Sequence, residues 1–275
     1  MAPPKFDDLP KVANEVLNDD YQTKGYQFKA KQKTEFQGAV VTSAVDLFPP
    51  KEASVMTPAK LTWRLPQPFG VKAVCIDKLE LDKGGGLKFE ASTDKAYPGL
   101  KLNCKSDVLD LTKASGGFTY TGLKDFYIAV DTKAAKPQEF TAEITWACCE
   151  PAVVGLKCSG KSPTSPDIGG RIVKGPFFAA LIAKEQFKTF TGVCHYKASS
   201  ALRCAATCTY DGKSPSMALG AAYEVNKELL LKGKVSKTSV SLGCKKTLAK
   251  GLTALSGLEY NFDGKMSYGL QLSVE

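Results

Sequence analysis

From about Lys24 onward the chain alternates apolar and polar residues with a period of two, the repeat of a strand whose successive side chains point to opposite faces. The pattern is clearest at the C-terminus, where Met266, Tyr268, Leu270, Leu272 and Val274 share one face and Ser267, Gly269, Gln271 and Ser273 the other. It recurs in Tyr26, Phe28 and Ala30 against Gln27, Lys29 and Lys31, and in Leu100, Leu102 and Cys104 against Lys101, Asn103 and Lys105. Phe140, Ala142, Ile144 and Trp146 against Thr141, Glu143 and Thr145 repeat it, as do Leu202, Cys204, Ala206, Cys208 and Tyr210 against Arg203, Thr207 and Thr209. Turn signals fall at Asp82 to Gly85, Asp94 to Pro98, Ala114 to Gly117, Pro163 to Gly170, Asp211 to Pro215 and Asp263 to Gly264. About nineteen strand candidates fit, at roughly 13 residues per strand and turn, close to the 9 to 11 residues plus turn of a membrane strand.

Ahead of the strands, Leu9, Val12, Ala13, Val16 and Leu17 fall at the spacing of one helical face, with Lys11, Asn14, Glu15 and Asn18 opposite. Asp7 or Asp8 can cap the first turn, and Pro10 is early enough that its missing donor matters little. The chain thus divides into a segment over 1–24 with an amphipathic helix and a strand array over 25–275.

A soluble sandwich also alternates, but it turns its apolar face inward and does not easily hold so many strands with so little helix. A closed membrane barrel inverts the pattern, satisfying every backbone group in its ladder while alternate side chains meet lipid and water. Trp63, Tyr97, Tyr120, Phe140, Tyr210 and Tyr260, near expected strand ends, suit interfacial girdles. The longest nearly uninterrupted apolar run, Phe177 to Ala183, is far too short for a membrane-crossing helix. A mean hydropathy of −0.16 does not argue against the barrel, because only alternate residues of a barrel strand face lipid.

The formal net charge of +9 is scattered along the chain. It suits a surface or lumen that attracts anions, and the absence of any nucleic-acid-binding motif argues against that partner. The count of nine cysteines is odd, and no signal-peptide pattern opens the sequence, so reduced thiols serving as small apolar side chains are expected. With His195 the only histidine, zinc sites built on several histidines are excluded; Cys194, His195, Cys204 and Cys208 read as strand residues on alternating faces. No Ser, His and Asp set, paired-carboxylate site or P-loop can be argued, so neither an enzyme nor a cofactor is expected.

Three stretches resemble the voltage-dependent anion channel family, the eukaryotic porins. They are Pro3-Pro4-Lys5-Phe6-Asp7-Asp8-Leu9 with Lys11, Ala13, Val16 and Tyr21; Tyr223 with Gly233-Lys234-Val235 and Ser239 through Gly243; and Ser267 through Val274, which fits a mitochondrial β-signal. The resemblance implies an all-β membrane barrel of nineteen strands, so the count above is not independent of it. An odd number forces the first and last strands to pair in parallel, near Tyr26 to Lys33 and Met266 to Val274. It further implies a helix in the lumen, with Lys11, Asn14, Glu15, Lys29, Lys31, Lys101, Arg203 and Lys245 lining the pore or contacting anions. Nucleotide contacts are implied at Ser239, Val240, Ser241, Leu242 and Gly243 and at Ser256, Gly257, Leu258, Glu259 and Tyr260. The tripeptide Gly-Leu-Lys at Gly86, Gly99, Gly122 and Gly155, a nucleotide contact by resemblance, is also what a strand start needs.

The function implied is a voltage-gated, weakly anion-selective pore of the mitochondrial outer membrane, passing nucleotides, phosphate and organic anions. Membrane lipids, ATP and ADP, cytosolic kinases and further copies of the chain are the implied partners. The alternatives are a protein-import barrel of the same fold and a soluble β-rich binding protein. Two departures from the family stand out. Its membrane-facing glutamate on the fourth strand falls at about Cys75, with Asp77 two residues on, and the helix segment is acidic, leaving the wall lysines to supply the anion preference.

Overall fold

The computed structural model describes residues 3–34, 38–46, 59–160 and 163–275. A 3-10 turn at Phe6–Asp8 and a short helix, α1 (Lys11–Leu17), precede nineteen strands. These are β1 (Gly25–Lys33), β2 (Val40–Asp46), β3 (Ala59–Leu65), β4 (Cys75–Asp82), β5 (Leu87–Tyr97), β6 (Leu100–Asp107), β7 (Asp110–Tyr120), β8 (Phe126–Lys133), β9 (Lys136–Cys149) and β10 (Ala152–Ser159). The series continues with β11 (Asp167–Lys174), β12 (Phe177–Lys184), β13 (Thr189–Lys197), β14 (Leu202–Tyr210), β15 (Pro215–Asn226), β16 (Leu229–Ser236), β17 (Ser239–Ala249), β18 (Leu252–Asn261) and β19 (Met266–Val274).

Each strand pairs antiparallel with its neighbours in chain order, and β1 closes the sheet against β19 in parallel, with Gly25 opposite Gly269 and Ala30 opposite Val274. The parallel seam is what an odd number of up-and-down strands requires. Closure leaves no edge, so the ladder can stand in a medium that offers no hydrogen bonds.

The register places apolar residues outward. Leu181, Leu219, Leu242, Met266 and Tyr268 are each more than half exposed on the outer face. A soluble domain does not leave such a continuous apolar surface uncovered. The largest fully buried side chains are instead Phe6, Leu9, Val16, Leu17 and Thr145. Four belong to the N-terminal segment and one to the wall beneath it, so among the described residues the packed core lies where that segment docks inside the barrel.

Several local expectations change. Ala114 to Gly117 is no turn: it lies inside β7, paired on both sides by β6 and β8, and the hairpin reverses at Val108 and Leu109. Pairing on two sides overrides the weak strand preference of the glycines. Asp94 to Tyr97 remains in β5, with a register shift between Thr93 and Tyr97, and β11 already begins at Asp167. At the helix, Pro10 occupies the capping position and no side chain caps it. Asp7 and Asp8 are drawn into the 3-10 turn, which buries Phe6, and Asp7 instead pairs with Lys157 of β10.

Candidate functional site

The lumen wall follows from the same alternation. Lys29 and Lys31 of β1, Lys101 of β6, Arg203 of β14 and Lys245 of β17 occupy the inward register, and Lys11 is exposed on α1. The structure spends much of this charge on partners. Lys31 pairs with Glu275 at 3.0 Å, Lys101 with Asp77 at 3.6 Å, Arg203 with Glu224 at 2.8 Å and Lys245 with Asp20 at 3.1 Å. Anion attraction therefore cannot be counted from lysines alone.

The two stretches expected to contact nucleotide are divided by the pleat. Ser239, Ser241, Gly243, Gly257 and Glu259 share the inward register, whereas Val240, Leu242, Ser256, Leu258 and Tyr260 share the outward one. Leu242 and Tyr260 are well exposed on the outer surface. Only the first group faces the lumen side, and within it Ser239, Ser241 and Gly243 are buried, leaving Gly257 and Glu259 partly open. Of the Gly-Leu-Lys tripeptides, those at Gly86 and Gly99 lead from turns into strands, that at Gly122 lies in the connection between β7 and β8, and Gly155 lies within β10 beneath Phe6. His195 faces inward and is buried, while Cys194, Cys204 and Cys208 share the outer face, so these four do not converge.

The N-terminal segment lines the wall as a belt. Phe6 and Leu9 pack on Val153 of β10 and Ile182 of β12, and Ala13, Val16 and Leu17 pack on Phe178, Ala180, Val193, Ala205 and Ala222 of β12 to β15. Thr145 of β9 donates to the Pro4 carbonyl at 2.6 Å. Beyond α1 the chain turns at Asp20, whose φ of 61° lies in the left-handed region that asparagine and aspartate tolerate better than most residues. Residues 20–24 then cross three glycines in one row, with Gly243 opposite Gly257 and Gly257 opposite Gly269. A methyl built on Gly257 would sit 2.6 Å from the Gln22 carbonyl oxygen, and one on Gly243 2.9 Å from that of Asp20. Only glycine lets this backbone lie against the wall.

Lys232 of β16 completes the attachment. Its buried ammonium donates to the carbonyls of Glu15 at 2.7 Å and Asp19 at 3.0 Å, and lies 3.1 Å from the Asp20 carboxylate. It thereby answers carbonyls that the C-terminal turn of α1 leaves open and its negative dipole end. Burial pushes the Asp20 carboxyl up, but Lys245 and Lys232 together hold it below its ordinary value. Burial also raises the Tyr21 hydroxyl to about 12, and that group donates to the Val16 carbonyl at 3.2 Å.

Across the lumen, β3 to β6 carry alternating charges. Buried Glu80 is ringed by Lys78 at 2.7 Å, Lys88 at 3.6 Å and Lys60 at 4.0 Å. Next to it, an irregularity between Ile76 and Lys78 corrects the expectation that Cys75 and Asp77 face the membrane. Cys75 stands opposite Ser92, Asp77 pairs with Lys101, and Asp77 lines a lumenal cavity of about 270 Å³ with Lys5, Glu90 and Asn103. The bulge re-aims the acid from lipid to water.

The resulting object is a polar-lined tube with an apolar exterior and an internal belt. Solved structures with a similar overall path include a Rhodopseudomonas blastica porin carrying three substitutions, at 10% identity and TM-score 0.45 over 87% of this chain and 93% of that one. A second variant of that porin has 11% identity and TM-score 0.46 over 77% and 94%. No curated protein sequence matches. The family model for eukaryotic porins matches residues 2–267, nearly the whole chain, and the chain belongs to the eukaryotic porin family, whose barrels are pore-forming channels for small solutes.

Proposed function

We propose that this channel is a weakly anion-selective, voltage-gated pore of the mitochondrial outer membrane that passes small metabolite anions such as nucleotides and phosphate. The observation that carries the reading is where the charge stands. The net charge is +9, and away from the strand ends the outward positions are uncharged, so the lumen and rims must display it. Lys11 and Lys29 face that space, and among the described residues nothing narrows it to a filter of fixed ligands, so preference arises from summed potential and is modest.

On β17 and β18 a nucleotide in the pore would meet Glu259, since Ser239 and Ser241 are buried on the inward face and Leu242 and Tyr260 point outward. The gating reading is supported by the many charges in the lumen, since each charge carried across the field exchanges about 2.3 kcal/mol per 100 mV. The mitochondrial reading is supported by family membership and by the Ser267–Val274 motif, and deletion of that motif should block insertion into isolated mitochondria.

Reversal potentials of the full chain in planar bilayers under a potassium chloride gradient test the selectivity. Chloride should be preferred at low salt, with the preference shrinking as the Debye length falls. A cation preference at low salt, or conductance independent of voltage out to about 100 mV, would count against the reading.

A further inference from the structure

The belt is acidic. Asp7, Asp8, Glu15, Asp19 and Asp20 outnumber Lys5, Lys11 and Lys24 between residues 3 and 24. Two of these acids are committed to the wall, Asp7 to Lys157 and Asp20 to both Lys232 and Lys245. The belt therefore fills part of the lumen and also sets two carboxylates against three wall cations.

We propose that Lys232 is the positioning residue that latches this belt, and that the latched belt sets the selectivity of the pore by holding its anion preference down. Two independent features of the wall form the latch. Lys232 is buried, makes three contacts to residues 15 to 20 and so joins the open end of α1 to the wall at one point. The glycine row at Gly243, Gly257 and Gly269 is a bed cut for residues 20–24, and it sits immediately beyond that point. Neither feature is needed to close a barrel, since an inward alanine or threonine serves the ladder as well. Both are needed to seat the belt.

The sign of the effect follows from the charges. When the belt leaves the wall, Lys157, Lys232 and Lys245 lose their carboxylates, and more acid than base leaves the solute path. The pore then widens and prefers anions more. The tether is long enough: the fourteen residues from Lys11 to Gly25 span up to about 46 Å when extended, more than the roughly 30 Å of a bilayer core. A released Lys11 can thus reach either rim, where trypsin can cut after it.

This inference rests on the channel being open to ions but not on its being anion-selective, and its first readout needs no current at all. Full-length protein refolded in lipid would be compared with Lys232→Met, Gly257→Val and the milder Gly257→Ala, each checked for its β-rich circular dichroism. Tryptic cleavage after Lys11 should be at least about tenfold faster in Lys232→Met and Gly257→Val, because the local opening that exposes the site becomes less costly. In bilayers Gly257→Val, which changes no charge, should raise single-channel conductance and shift the chloride-to-potassium permeability ratio upward, and Gly257→Ala should do the same to a smaller extent.

Cleavage of Lys232→Met at the unaltered rate would overturn the latch. Faster cleavage of Gly257→Val, or of Gly257→Ala should the valine not fold, with a permeability ratio that stays put or moves toward potassium would overturn the electrostatic role. An unaltered chain that proves cation-selective would refute the preceding functional reading while leaving this comparison between chains intact.

Discussion

Asn103 and Cys104 are adjacent in the middle of β6, yet one faces water and the other lipid, so the same substitution at both weighs the two media directly. Cys104 stands between Ala91 of β5 and Gly116 of β7 in the outward register and is exposed. An arginine there must carry its guanidinium into hydrocarbon or bend toward a rim, at about 2–4 kcal/mol near the bilayer centre. Asn103 lines the lumenal cavity with Asp77 and Glu90, and its buried carbonyl oxygen has no hydrogen-bond partner. An arginine there keeps its hydration, and the ammoniums of Lys5, Lys101 and Lys105 around it are largely offset by the Asp77 and Glu90 carboxylates, so its effect should stay within about 0.5 kcal/mol of zero, as for a surface change. The difference corresponds to a factor of about 30 to 700 in the folded population. Urea unfolding of Cys104→Arg and Asn103→Arg in lipid vesicles, followed by tryptophan fluorescence, reads it as a separation of midpoints. Equal destabilisation, or a greater loss in Asn103→Arg, would mean that the apolar alternate faces do not contact lipid, and the inside-out assignment would fall.

Three further outcomes are expected. Phe6→Ala empties a fully buried position between Leu9, Val153 and Ile182, which should weaken docking of the belt by about 3–5 kcal/mol and speed tryptic cleavage after Lys11; unchanged cleavage would count against the packing. Because the docked Asp20 carboxyl is held below its ordinary value of 3.8, its contribution is complete above the ordinary carboxylate range and fades as pH falls through the docked value. Protection of the belt should therefore be level from about pH 7 to 5 and drop only in stronger acid, with Asp20→Asn flattening that dependence; a drop between pH 7 and 5 would contradict it. A small sulfonate-bearing thiol reagent should lower chloride current by adding a negative charge at inward-facing Cys75, and Cys75→Ser should abolish the effect, whereas outward Cys194, Cys204 and Cys244 should react with lipid-soluble reagents.

The period of two carried the fold because a barrel strand exposes its two faces to media as different as hydrocarbon and water. Met266 to Val274 and Leu202 to Tyr210 kept in the barrel the faces that their letters predict. Turns were less legible. Gly116 and Gly117 carry a turn composition but sit mid-strand, since what decides a strand interior is pairing on both sides, which no local window contains. The partners of the belt were hidden for the same reason. Lys232 lies more than two hundred residues from Glu15, and nothing near it in the sequence distinguishes it from Lys234, whose ammonium merely reaches the Asn18 side chain at 3.3 Å. Glycine was the trace that could have been followed, because Gly243, Gly257 and Gly269 sit at positions where alternation calls for inward polar side chains.

The displaced acid on β4 had a trace as well. Outward apolar residues run Ile76, Leu79, Leu81, a step of three and then of two, and a step of three in a two-residue period means that one residue has been added. The added residue turns Cys75 and Asp77 inward, and Lys101 and Ser92 are there to receive the carboxylate. An ionised aspartate left facing hydrocarbon would either take up a proton or drag water into the bilayer. One inserted residue removes that conflict without changing the strand count. The lipid face of β4 then presents Ile76, Leu79 and Leu81 and no carboxylate, so behaviour that depends on an acid in contact with lipid at this strand has no group through which to act.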